Sequence, residues 1–147
     1  MKKLLILISL LIGLSATSQA EVNFQKVYDH PGKAEDIINR IQQATVLDWK
    51  VQNNTLKGTA KVKCLVSKKK AFLPAVYSIY RGDIVLEAKD NRFRVTYANM
   101  KYVAENEYDK FMDGMSLTTA KKLDCSNDFD ALTWHIIEKA EKYDNDW

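Results

Sequence analysis

The strongest constraint on this chain is a pair of long alternating runs, Ala75 to Ala88 and Arg92 to Val103, with Asp90-Asn91 between them. Both turn residues tolerate left-handed backbone dihedrals, so the dipeptide suits a two-residue hairpin turn. With that turn, Ala88 faces Phe93, Leu86 faces Val95 and Ile84 faces Tyr97, which makes one continuous apolar face. On the opposite face Glu87 meets Arg94 and Val85 meets Thr96. A slip of one residue would set charge against the core, so the pattern fixes the register.

The remaining elements arrange themselves around this hairpin. Val22 to Tyr28 reads as a strand that Asp29-His30-Pro31-Gly32 breaks, with Asp29 as a cap for the helix that follows. In Lys33 to Ala44 the residues Ile37, Ile38, Ile41 and Ala44 share one helical face. Val46 to Gln52 alternates as a strand through Leu47, Trp49 and Val51, and Asn53-Asn54 is a turn. Leu56 to Val66 is the next strand, with Gly58, Ala60, Val62, Cys64 and Val66 on one face and Thr59, Lys61 and Lys63 on the other. Small residues at 58 and 60 predict a bulky group packed over them. Ser67 to Pro74 is a lysine-bearing loop.

Ala104 to Asp124 is weakly patterned, and Phe111, Met112, Met115 and Leu117 are its expected anchors to the body. Ser126 and Asn127 are cap candidates for a last helix, Asp128 to about Tyr143. Its buried stripe is Phe129, Leu132, Ile136, Ala140 and Tyr143, with Trp134 or Ile137 at the edge. The order is β-α-β-β-β-β-α, an α+β class satisfied by an antiparallel sheet with two helices packed on one face.

The N-terminus carries its own instruction. Lys2 and Lys3 precede an apolar run from Leu4 to Leu14, and Ser18-Gln19-Ala20 offers small residues for a peptidase. The run, about 11 residues, is too short to span a bilayer as a helix. Residues 1–20 therefore read as a cleaved signal peptide and residues 21–147 as a single exported domain, periplasmic or secreted. Glu21 rather than Cys follows the cut, so no lipid anchor is expected, and no transmembrane anchor is either. Without the leader the chain has 20 basic and 19 acidic residues, which gives no electrostatic case for a nucleic-acid partner. Export also permits a disulfide between the two cysteines, Cys64 and Cys125; two buried free thiols is the alternative.

Little here points to catalysis. No phosphate-binding loop, nucleophile elbow, metalloprotease helix or dinucleotide fingerprint is present. Asp29-His30 is better explained as a strand-to-helix turn than as an acid–base pair, and His135 as a partly buried helix residue. Two cysteines and two distant histidines lack metal-ligand spacing, and no cofactor is implied. Lys68-Lys69-Lys70 is the densest charge run; it can attract anionic headgroups, but three lysines alone are few for stable attachment. The most informative set is Tyr77, Ile79, Arg81 and Val85 with Met100, which alternation places on the sheet face away from the helices. Exposed apolar and aromatic groups on such a face mark a binding surface. The competing reading is that Glu105 to Cys125 folds across it.

The stretches Lys33-Ala34-Glu35-Asp36-Ile37-Ile38, Trp49-Lys50-Val51 through Leu56-Lys57-Gly58-Thr59-Ala60, and Asp90-Asn91-Arg92-Phe93-Arg94-Val95-Thr96-Tyr97 carry a resemblance. Over roughly Phe24 to Val103 the chain resembles a family of secreted bacterial domains of unknown function with a TATA-box-binding-protein-like fold. Members often carry Gly where Asn91 stands, and a cysteine pair is not part of the pattern. The resemblance implies the fold and supplies no catalytic residues. The expected function is an exported, non-catalytic domain that binds a peptide, protein or envelope component through its open sheet face. The alternatives are an enzyme with an unrecognised site and a periplasmic small-ligand carrier.

Overall fold

The computed structural model describes residues 21–45, 47–69, 71–117 and 125–145. The leader and its cut after Ala20 lie outside these residues, as does the side chain of Tyr143. Strands β1 (Val22–Asp29), β2 (Lys50–Gln52), β3 (Thr55–Ser67), β4 (Val76–Lys89) and β5 (Arg92–Tyr102) form one antiparallel sheet in the order β1-β5-β4-β3-β2. Helices α1 (Ala34–Ala44) and α2 (Ser126–Asn145) touch each other and cover one face. None of the described helices is long and apolar enough to cross a membrane.

The β4–β5 hairpin has the register its sequence dictates. Ala88 pairs with Phe93, Leu86 with Val95, Ile84 with Tyr97, Glu87 with Arg94 and Val85 with Thr96. Asn91 takes a left-handed φ of 64°, as this turn requires. Its neighbours Ile84, Leu86, Phe93, Val95 and Tyr97 are buried beneath Ile37, Ile38 and Ile41 of α1 and Phe129, Ile136 and Ile137 of α2. Phe129 sits 4.8 Å from the Tyr97 ring and 5.5 Å from the Phe24 ring. Thr133 donates to the Phe129 carbonyl, so the Tyr97 hydroxyl 3.0 Å away donates to Thr133, and both buried hydroxyls are satisfied.

Several local expectations give way to tertiary effects. Helix α1 is capped by Asp90 of the β4–β5 turn, not by Asp29: the Ala34 N–H donates to Asp90 Oδ1 at 3.0 Å. Strand β2 is confined to Lys50–Gln52, because Asp48 adopts a left-handed φ of 46° and turns the chain. That turn lays the Trp49 ring on Gly58, where an added Cβ would lie 2.9 Å from ring carbon Cε3; this is the bulky group that the small residues predict. Val66 leaves the inner face at an irregularity in the β3–β4 pairing between Leu65 and Ser67.

Of the expected anchors after β5 only Leu117 is buried, and Phe111 is largely exposed. Polar ties hold this segment instead. Asp109 accepts from the Tyr102 hydroxyl and from the Asn106 and Glu105 N–H groups, and Asp113 accepts from the Ala104 N–H. On α2, Ile137 is buried, Trp134 is half-exposed with its ring edge-on to Tyr28, and His135 is exposed rather than partly buried.

Candidate functional site: the outer sheet face

Among the described residues, two helices cover one face of the sheet and no element covers the other. Strand pairing sets which side chains meet there. Lys61 of β3 lies opposite Arg81 of β4, and Arg81 lies opposite Lys101 of β5. Three cations therefore stand in one row across three adjacent strands, all exposed. The next row toward the β3–β4 loop is Lys63 and Ile79, and the one beyond is Leu65 and Tyr77. In the other direction Lys57 faces Val85, with Lys50 of β2 on its far side. Lys63 Nζ sits 4.6 Å from the Tyr77 ring centre, a cation–π contact.

Like charges placed directly opposite one another destabilise a sheet. Among the described residues, no carboxylate lies within ion-pair distance of Lys61, Arg81 or Lys101. The acids on this face are engaged elsewhere: Glu87 takes two hydrogen bonds from Arg94, at 2.6 and 2.8 Å, and Asp83 accepts from Asn99. Among the described residues, no contact offsets the cost of this row.

Four of the five residues proposed for this face lie on it. Tyr77 (42% accessible) and Arg81 are exposed, and Ile79 and Val85 are half-buried. Met100 does not belong. A bulge intervenes where the β4–β5 register shifts between Arg81 and Asp83, with Asn99 at a φ of 54°. The extra residue reverses the alternation, sends Met100 into the core at 0% accessibility and brings Lys101 to the outer face. The described part of the 105–125 segment stays at the end of β5: Ser116 bridges to Lys101, and the Met115 carbonyl accepts from the Tyr102 N–H.

Cys64 and Cys125 are joined as a disulfide with their α-carbons 5.4 Å apart. Asp128 lies beside the bridge, but sulfurs bonded to each other offer a metal no thiolate. Asp128 instead accepts from the Leu65 N–H at 3.4 Å.

The groups with shifted ionisation owe their shifts to burial and to their hydrogen-bond partners. Burial lowers the His30 imidazole, whose ring meets Phe93 edge-on at the corner between β1 and α1. Burial, reinforced by Asp130, raises the Tyr28 phenol. Burial, with Asp109 as hydrogen-bond acceptor, pushes Tyr102 up to about 12. Each shift has a structural cause: Tyr28 and His30 both pack against Phe93, and Tyr102 packs edge-on to Tyr80. A concavity of about 280 Å³ opens between α1, β3 and α2, lined in part by Ala44, Leu47, Ala60, Leu132, His135 and Lys139.

No protein-family model and no curated protein matches this sequence. Two solved structures are similar to it. One is a TBP-like protein from Parabacteroides distasonis ATCC 8503, at 14% identity and a TM-score of 0.48, covering 80% of this chain and 91% of that one. The other is a DUF4468 family protein from Bacteroides ovatus ATCC 8483, at 12% identity and a TM-score of 0.36, covering 56% of this chain and 55% of that one.

Proposed function

We propose that this chain is an exported, non-catalytic binding domain whose outer sheet face receives a protein, peptide or envelope component. The observation that carries this reading is the uncovered face itself, where Tyr77 and Arg81 stand open beside an uncompensated row of cations. Tyr and Arg are residue types enriched at binding hot spots, and here both stand exposed on one face. Arg81 would hold a carboxylate or carbonyl, and Tyr77 with Ile79 and Val85 would supply apolar area. The test is affinity capture from envelope extracts with the chain beginning at Glu21, beside its Tyr77→Ala/Arg81→Ala variant. The expected outcome is partners captured by the first and lost by the second, with unchanged thermal melting. Equal capture by both would move the site elsewhere.

A small-ligand carrier is the second reading, favoured by the concavity at Ala60, whose lining of apolar Ala44, Leu47 and Leu132 with Lys139 suits a small apolar carboxylate. Binding there would be blocked by Ala60→Leu and unaffected by the Tyr77→Ala/Arg81→Ala pair.

A further inference from the structure

The β3–β4 hairpin projects beyond the rest of the sheet. Strand β5 ends at Tyr102, opposite Tyr80, while β4 begins four residues farther out at Val76, about 13 Å at strand rise. Strand β2 reaches only as far as Lys57, so the outer part of β3 has no strand on that side. The base of this arm is fixed by the Cys64–Cys125 bridge and by the hydrogen bond from Leu65 to Asp128. At the tip stand Phe72, 98% accessible, and Leu73, 65% accessible, flanked by exposed Val66 and Val76. Lys63, Lys68 and Lys69 are exposed around them.

The charge of the hairpin itself has one sign. From Trp49 to Gly82 the sequence contains no Asp or Glu but has seven lysines and Arg81. The acidic residues Glu105, Glu107, Asp109 and Asp113 belong to the segment after β5, where Asp109 accepts from Tyr102 and Asp113 from Ala104. A solvated loop accounts for the lysines but not for a phenylalanine and a leucine held in water on a braced arm. An anionic bilayer accounts for both: its hydrocarbon boundary takes apolar side chains and its phosphates take ammonium groups. Three lysines alone hold a surface weakly, and an apolar wedge is the second signal that stable peripheral attachment needs.

We infer that this hairpin tip seats the protein on anionic phospholipid, with Phe72 and Leu73 entering the headgroup boundary and Lys63, Lys68 and Lys69 facing lipid phosphates. The inference goes beyond the proposed function and does not depend on a partner at Arg81. Seating by the tip leaves the outer face free beside the membrane.

The test is co-sedimentation of the chain beginning at Glu21, with its disulfide intact, with vesicles of phosphatidylcholine alone or with about 30% phosphatidylglycerol. Binding is expected to the anionic vesicles and to weaken as salt rises. Phe72→Ser/Leu73→Ser and Lys68→Glu/Lys69→Glu should each lower partitioning by about tenfold or more. Their thermal melts should match the parent, because these side chains are exposed. Tyr77→Ala/Arg81→Ala should still bind through Phe72 and Leu73, which separates this inference from the partner-binding reading. Absence of binding to anionic vesicles, or full binding by Phe72→Ser/Leu73→Ser, would overturn the assignment. So would self-association in sedimentation equilibrium that depends on Phe72 and Leu73 while vesicles are ignored, since the tip's occupant would then be a second copy.

Discussion

Met100 packs directly over Gly82: a Cβ built on the glycine would lie 2.6 Å from the Met100 sulfur. The same Cβ would also lie 2.6 Å from the Ala98 carbonyl oxygen and 2.8 Å from that of Asn99. Gly82 faces the point where β5 bulges, so its missing side chain is what lets the extra residue fold inward and carry Met100 into the core.

Gly82→Ala should therefore destabilise the domain by about 1–3 kcal/mol, as overpacking does. Met100→Ala in the same background should recover only part of the loss, because two of the three contacts are backbone oxygens. Urea unfolding of the two single variants and the double variant measures the coupling. A Gly82→Ala midpoint equal to that of the parent would show that the bulge adapts freely.

The β4–β5 turn also organises the opposite edge of the sheet. Asp90 caps α1 through the Ala34 N–H, while Asn91 Oδ1 accepts from the Gly32 N–H and the Asn91 N–H donates to the Gly32 carbonyl. Asp90→Ala should cost about 1 kcal/mol, the usual loss of a helix cap. Asp29→Ala should cost less, since Asp29 caps nothing here. Chemical denaturation of the two variants decides between a cap supplied from the turn and one supplied from the adjoining strand.

How much of this was legible follows the range of each signal. The β4–β5 register, the stripe of α1 and the cover over Gly58 follow from alternation and side-chain size, which are local. The cap on Ala34 joins residues 56 apart, and nothing near Lys33 announces it. Alternation placed Lys61 on the outer face, but the β3–β4 register was needed to set it opposite Arg81. Met100 was misplaced because a bulge changes the parity of every later residue in its strand, and Asn99 gives no clear warning in the sequence. The cysteine pairing was legible as a permitted bridge; its role in bracing the base of the projecting hairpin required the fold.

The bridge should matter thermodynamically as well as geometrically. It closes a loop between positions 61 apart and joins β3 to the residue preceding α2. Cys64→Ser/Cys125→Ser should lower stability by up to about 4 kcal/mol in the chain-entropy account. Even when denatured, the oxidised protein should take up no thiol reagent, whereas each denatured single serine variant should take up one equivalent, because both sulfurs are buried in the fold. Labelling of both cysteines in the oxidised denatured protein would contradict the pairing.

Acid should weaken the fold in two stages. Burial disfavours the His30 imidazolium, with Arg40 adding to burial and Glu141 opposing it, so His30 titrates below its ordinary 6.5. Asp130 accepts from the Tyr28 hydroxyl at 2.6 Å and from Lys26 at 3.0 Å, which holds its carboxyl below its ordinary 3.8. In each case the unfolded chain binds the proton more readily, so stability falls as pH falls. The His30 contribution is complete above about pH 6.5 and is lost as pH drops from there through its lowered folded value. The Asp130 contribution is complete above about pH 4 and is lost at still lower pH. Proton NMR should find His30 titrating below the ordinary imidazole value of about 6.5. Urea midpoints measured from pH 8 to 3 should decline across both windows, and Asp130→Asn should flatten only the lower one. A midpoint that rises on acidification between pH 7 and 5 would require His30 to gain a partner as it charges, contrary to its buried setting against Phe93.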